Sequence, residues 1–243
     1  MAAPAMNSTQ IPVHFDTELQ AVSAQLLAMG GLAESQLSQA LYAITRASGE
    51  TVQQVLQLEQ RLNAAEVDLE RELWAVVARH QPAARDLRLL IAVSKMVHDL
   101  ERIGDEAARV ARAVPRLLSH GTLGAGGPMG QALLAVGTTG RLATELLRLA
   151  LDAFARRDVA QARRVLRDDD ALDASFDELM RRLVSCMSDH PRLISAGIDL
   201  VFVAKALERV GDHAKNLAEQ VIYCVEGIDV RHTSRGDAAP APA

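Results

Sequence analysis

Apolar residues recur at alternating spacings of three and four in two stretches of this chain. In the first they are Val93, Met96, Leu100, Ile103, Ala107, Val110 and Val114; in the second, Leu200, Val203, Leu207, Val210, Ala214, Leu217 and Val221. The period is helical, and one seam of this kind packs against neighbouring helices in a left-handed bundle. Extended along the chain, the pattern predicts six long helices: about 15–47, 49–79, 84–114, 130–156, 158–188 and 193–226. The breakers agree with these limits. Ser48 is placed to cap the second helix. Pro82 and Pro191 stop the second and fifth, because a residue preceding proline avoids helical geometry. Pro115 is expected to end or kink the third, and Gly30-Gly31 to loosen the first.

The two seams belong to a repeat. Leu100-Glu101-Arg102-Ile103-Gly104-Asp105 returns as Leu207-Glu208-Arg209-Val210-Gly211-Asp212, 107 positions later. Between the copies, His120 to Pro128 holds four glycines and is the natural boundary. The expected fold is therefore all-α, two tandem three-helix bundles over 15–119 and 130–226 with a pseudo-twofold internal repeat. Residues 1–14 and 233–243 read as flexible tails. Composition supports helix over sheet, since only 3% of the 243 residues are aromatic and few β-branched strand formers compete. Trp74 and Met96 are expected in the core.

Charge and cysteine content remove several function classes. The net charge is −5 without a basic block, which argues against nucleic-acid binding. Cys186 and Cys224 are too few and too distant for a disulfide framework or a zinc site of the CxxC type. The N-terminus lacks the basic start and apolar run of a secretory signal. No apolar run approaches the ~20 residues of a membrane span. The expected location is cytoplasmic.

The repeated element carries a pair of carboxylates. Glu101 and Asp105 are one helical turn apart, as are Glu208 and Asp212, so each pair projects from one strip away from the seam. The fifth helix offers Asp169 and Asp173 at the same spacing, and aligning Leu172 with Leu62 puts Glu59 and Asn63 at the matching positions of the second. Like charges in one strip repel by a few tenths of a kcal/mol on an exposed helix; a bound cation reverses the sign. A carboxylate-only set suits hard or borderline ions such as Mg²⁺, Mn²⁺ or iron rather than a tetrahedral Cys/His zinc site. The plain alternative is a solvated acidic face. His213 is a candidate extra ligand, whereas His98 and the Arg85-Asp86-Arg88 cluster read as surface. Gly104 and Gly211 suggest close helix approach or room for an ion, and on the second reading Gly211→Val would weaken metal binding more than folding. A carboxylate-bridged di-metal bundle enzyme would use a Glu three residues before a His, which no histidine here has. A metal-free helical adaptor is the third alternative.

The blocks Pro82 to Arg88, Leu100 to Asp105 and Leu207 to Glu219, with the amphipathic opening His14 to Ala40, resemble the PhoU family of phosphate-specific transport system accessory proteins. The resemblance runs from about His14 to Glu226. It implies two three-helix bundles in a cytoplasmic protein, often homodimeric, that is not an enzyme. It further implies restraint of phosphate uptake through the ATPase subunit of the Pst transporter and damping of the phosphate-sensing histidine kinase. Membrane association would then be peripheral, through partners, with no nucleic acid bound. The family's paired E(D)xxxD motifs imply a divalent or trivalent metal (iron, Mn, Mg or Zn). They map onto Asp169, Asp173, Glu208 and Asp212 in the second half, and onto Glu59, Asn63, Glu101 and Asp105 in the first. Asn63 stands where an acid is expected, and Arg109 stands where the second repeat has Asn216, one turn from Asp105. The first site is therefore expected to bind metal more weakly.

Overall fold

The computed structural model describes residues 10–122 and 127–231, with side chains from Phe15 onward. Residues 1–9 of the first expected tail, the whole of the second (233–243) and the centre of the linker lie outside the described residues. Six long helices follow in order: α1 (Gln10–Arg46), α2 (Gly49–His80), α3 (Ala84–Ser119), α4 (Gly130–Arg156), α5 (Val159–Asp189) and α6 (Ile194–Glu226). A single 3₁₀ turn, Pro191–Leu193, precedes α6, and no strand occurs among the described residues. Ser48 and Asp158 cap α2 and α5, each accepting a hydrogen bond from the backbone N–H three residues on.

Four local features have a tertiary or positional reason that spacing alone does not supply. First, α1 starts at Gln10, inside the stretch read as tail. Pro12 is no obstacle there, because first-turn N–H groups lack intrahelical partners anyway. Second, α1 runs unbroken through Gly30-Gly31. Gly30 lies against Leu151 of α4, where a Cβ would come closer than 3.0 Å to the leucine methyls. Third, α3 continues through Pro115 to Ser119. Val114 and Leu117 on either side are fully buried, and Arg116 Nη1 donates to the Arg112 carbonyl at 3.2 Å. Buried anchors outweigh the loss of one hydrogen bond near a helix end. Fourth, Trp74 is not core but 72% exposed. Leu73 and Val76 take the buried stripe of α2, and Trp74 lies ~100° round from Leu73.

Helices α1–α3 pack on one another, and so do α4–α6. The halves are more than tethered. α3 and α6 share the largest helix–helix contact in the molecule, α1 also meets α4, and the buried side chains form one continuous cluster. Every seam residue predicted on α3 and α6 is at most 1% exposed. The two seam helices run antiparallel: Arg116 pairs with Asp199 at 2.8 Å, Arg209 Nη1 donates to Glu106 at 3.2 Å, and Gly227 lies beside Arg88. Between them, the buried Asp99 accepts hydrogen bonds from His213 Nδ1 (2.8 Å) and Asn216 Nδ2 (3.0 Å). The seam thus joins the two halves with satisfied polar contacts inside an apolar frame.

Gly104 and Gly211 occupy equivalent positions. A Cβ at Gly104 would meet Leu62, and one at Gly211 would meet Leu172, each closer than 3.0 Å. These glycines allow α2 to approach α3 and α5 to approach α6; leucines, not ions, fill the space. Gly211→Val is therefore expected to lower unfolding free energy by about 1–3 kcal/mol through overpacking, with any loss of metal binding secondary. Urea midpoints and metal titrations on the same preparation check the order, which is the reverse of the one the repeat alone suggests.

Candidate metal centre

The approach at Gly211 places the acidic strips of α5 and α6 on the same side of the second bundle. Asp169 Oδ1 lies 3.5 Å from the position a Gly211 Cβ would take. Asp169 is 4% exposed, not on an open face, and Lys215 Nζ donates to its Oδ2 at 3.0 Å. Glu208 is half-buried and held by Lys205 Nζ at 2.6 Å. Lys205 also stands 5.8 Å over the ring of Phe176. Asp173 and Asp212 are exposed and have no cation partner among the described residues.

The result is four carboxylates from two helices against two ammonium groups. Desolvation, then Asp169 and Glu208, raise the pKa of Asp173. Desolvation, then Glu208 and Asp169, raise that of Asp212. Each helix's acids therefore feel those of the other. This all-oxygen set, in which burial first and the neighbouring carboxylates second raise the pKa of Asp173 and Asp212, fits a hard or borderline cation. Binding would draw Asp173 and Asp212 inward in competition with Lys205 and Lys215.

The raised values have a consequence for pH dependence. For Asp173 and Asp212 the folded-state pKa exceeds the unfolded one, so the folded protein holds more protons in the interval between them. Stability contributed by these groups therefore falls as pH rises through that interval. In chelator, Asp212→Asn is expected to show a higher urea midpoint than wild type at pH 7. The gap should close as the pH approaches about 4, the ordinary carboxylate range. A gap that stayed constant with pH would show that the repulsion is not its source.

The first bundle is built differently. Leu62 sits in Gly104 as Leu172 sits in Gly211, so the register that aligned Glu59 with Asp169 and Asn63 with Asp173 holds. The side chains nevertheless diverge. Arg112 Nη2 donates to both oxygens of Glu59 at 2.6 and 2.8 Å, so Glu59 turns toward a cation that the second bundle lacks at this position. Asn63 is exposed. Arg102 lies 3.5 Å from Glu101 and 3.6 Å from Asp105. Arg109 pairs with Glu106 at 3.1 Å, so the cation beside Asp105 is Arg102 and not Arg109.

What Glu101 does face is Glu66 and His98. Among the described residues these three form the group whose ligating atoms all lie within 4.8 Å of one another. Burial, then Glu101, raises the pKa of Glu66; burial, then Asp105, raises that of Glu101. Glu101 Oε2 is buried and accepts no hydrogen bond. Arg102 Nε lies 3.5 Å from His98 Nε2, so an ion here would compete with the arginine for that nitrogen's lone pair. A mixed nitrogen and oxygen set suits borderline ions better than Mg²⁺. Sequence reasoning missed Glu66 and His98. Their signal was present, since Glu66 follows Glu59 by seven residues and His98 precedes Glu101 by three, which places each one or two turns along the same strip. His213 is less available as a ligand than expected, because Asp99 occupies its Nδ1.

No helix among the described residues is long and apolar enough to cross a membrane. The family model of the PhoU domain matches twice, at residues 26–114 and 137–221, once per bundle. A phosphate-specific transport system accessory protein PhoU homolog from Burkholderia sp is 42% identical over 223 residues, covering 90% of this chain and 92% of its own length. The phosphate-specific transport system accessory protein PhoU of Escherichia coli K12 is 33% identical, over 90% of this chain and 88% of its own. The crystal structure of PhoU from Pseudomonas aeruginosa superposes with a TM-score of 0.83 at 41% identity, covering 88% of this chain and all of that one. That of the phosphate transport system regulatory protein PhoU from Streptococcus pneumoniae gives 0.80 at 25% identity, with 89% and 99% covered. Two bundles that each match the domain, in a chain that aligns with such relatives over nine-tenths of its length, identify this protein as a member of the PhoU family, the accessory proteins of phosphate-specific transport.

Proposed function

We propose that this chain is a regulator and not a catalyst: when phosphate is plentiful, it restrains uptake through the ATPase subunit of the phosphate transporter and damps the phosphate-sensing histidine kinase. It acts in the cytoplasm as a homodimer, and a metal ion in the α5–α6 carboxylate cluster is part of its working form. The observation that carries the regulatory reading is the coincidence of both PhoU domain matches with the two bundles, in a chain aligned end to end with transport accessory proteins. The metal reading rests on Asp173 and Asp212, two carboxylates of raised pKa that form no ion pair among the described residues and feel Lys215 and Lys205 only at a distance. α3 and α6 each carry an acidic motif and also form the inter-bundle seam. Cation binding at either motif therefore acts on a helix that packs against the other half.

The regulatory test is genetic. A strain lacking this protein should take up phosphate and express phosphate-starvation genes even in rich phosphate, and the wild-type chain should restore repression. Unchanged uptake and expression in the deletion strain would refute the reading. Elemental analysis of untagged protein purified without chelator tests the metal separately, and sub-stoichiometric metal would remove that part alone.

A further inference from the structure

A second concave region lies away from the carboxylates, where the N-terminus of α3 meets the C-termini of α4 and α6 across α1. Its cavity is about 480 Å³, and its walls include Asp16, Arg85, Leu89, Phe154, Arg157 and Cys224. That volume falls in the ~300–1,000 Å³ range of small-molecule sites. Arg85 and Arg157 belong to the wall itself. With Arg88 they are the three guanidiniums that bear on the Cys224 thiol, whose pKa burial raises and these cations lower.

The guanidiniums are uncommitted, although Asp16 and Asp86 line the same wall. Among the described residues, none of the three guanidiniums donates a hydrogen bond or forms an ion pair, and Arg88 Nε is buried without a partner. α3 begins here at Ala84, behind Ala83, which supplies no side-chain cap. Its first N–H groups therefore add positive potential at the mouth. The carbonyl ends of α4 and α6 also lie here, but they are capped by the backbone N–H groups of Arg157 and Gly227 rather than by guanidiniums. Arg112 and Arg116 are engaged, with Glu59 and Asp199; among the described residues Arg46, Arg61, Arg156, Arg167 and Arg192 make no ion pair either, so what sets Arg85 and Arg157 apart is the cavity they line.

The rest of the wall narrows the ligand. Leu89 and Phe154 are buried core residues whose edges form an apolar surface, joined by Leu19 and Val221. Asp16 has no ion pair among the described residues and offers carboxylate oxygens to hydroxyl donors. Guanidiniums recognise phosphate oxygens by forked hydrogen bonds. An apolar wall takes a flat ring, and a carboxylate takes a sugar diol. We infer that this pocket binds a nucleoside phosphate, with its phosphate group on Arg85, Arg157 and the α3 N-terminus, its base on the Phe154 side and its ribose at Asp16. The site does not depend on the metal cluster or on the regulatory reading above.

Calorimetric titration of the full chain with ATP, in chelator and without magnesium, tests the inference. Wild type should bind ATP, with adenosine and inorganic phosphate each at least tenfold weaker. Arg85→Glu and Arg157→Glu should each weaken ATP at least tenfold. Arg61→Glu, outside the pocket on α2, should leave it unchanged. Arg85 and Arg157 are exposed, so the variants fold, and far-ultraviolet circular dichroism verifies this. Absence of ATP binding by wild type would overturn the inference. So would affinity indifferent to both pocket substitutions, or inorganic phosphate binding as tightly as ATP.

Discussion

Asp212→Ala is expected to lower Mn²⁺ affinity about a hundredfold, while Asp105→Ala changes it less than about threefold. The larger figure follows from charge at short range. Removing one carboxylate ~4 Å from a divalent ion costs roughly 2–4 kcal/mol at the effective dielectric of a partly exposed site, and each 1.4 kcal/mol is a factor of about ten in affinity. Asp212 is free to contribute that energy because no protein cation holds it among the described residues, and its raised pKa shows that its charge is unwelcome without an ion. Asp105 is in a different position. It shares Arg102 with Glu101, its opposite number Glu59 is held by Arg112, and Asn63 adds no charge. Manganese titration of chelator-stripped, untagged protein measures both variants. Equal losses would mean that the two bundles bind metal alike and that the arginines of the first are no impediment.

Lys215→Ala should act with opposite signs in the absence and presence of metal. Lys215 is the cation now seated on Asp169, whose side chain is 5% exposed. Breaking a buried pair from one side leaves a charge without compensation and costs ~3–5 kcal/mol when both partners are deep. The lysine side chain is 37% exposed, so solvent screening reduces this to about 2 kcal/mol. In a chain of this size that is a fall of roughly 5 °C in melting temperature in chelator. With Mn²⁺ the lysine no longer competes for Asp169, and the variant should bind the ion more tightly than wild type. Thermal unfolding with and without metal tests both signs at once. If the variant loses stability equally in both conditions, Lys215 is a structural partner and Asp169 is not a ligand.

The same two helices show how far local pattern carries. The duplication, the six helices and both apolar seams were legible, because each depends on spacing of three and four along the chain. The register of α2 against α3 and of α5 against α6 was legible as well, since Leu62 and Leu172 fill the places that Gly104 and Gly211 vacate. Trp74 was misplaced for a related reason. Composition marks tryptophan as core, but angular position on α2 hands the buried stripe to Leu73 and Val76.

The first site illustrates the opposite limit. Glu59 stands in register with Asp169 yet bonds Arg112, 53 residues away. Glu101 meets Glu66 of the facing helix, with His98 one turn back on its own. His213 was read with its neighbour Asp212, but its ring reaches across to Asp99 in the other half. Except for His98, none of these partners follows from spacing within one helix, because long side chains choose among cations and acids presented by a facing helix.

Periodicity, capping residues and repetition therefore specified the helices, their pairing into two bundles and the strips on which acids stand, since those are properties of a backbone whose pitch is constant. The occupant of each carboxylate, the depth of Asp169 and the convergence of Arg85 and Arg157 on one cavity came from assembly alone. They depend on distances between side chains far apart in the chain, and a change of a few ångströms in such distances reverses which charge prevails.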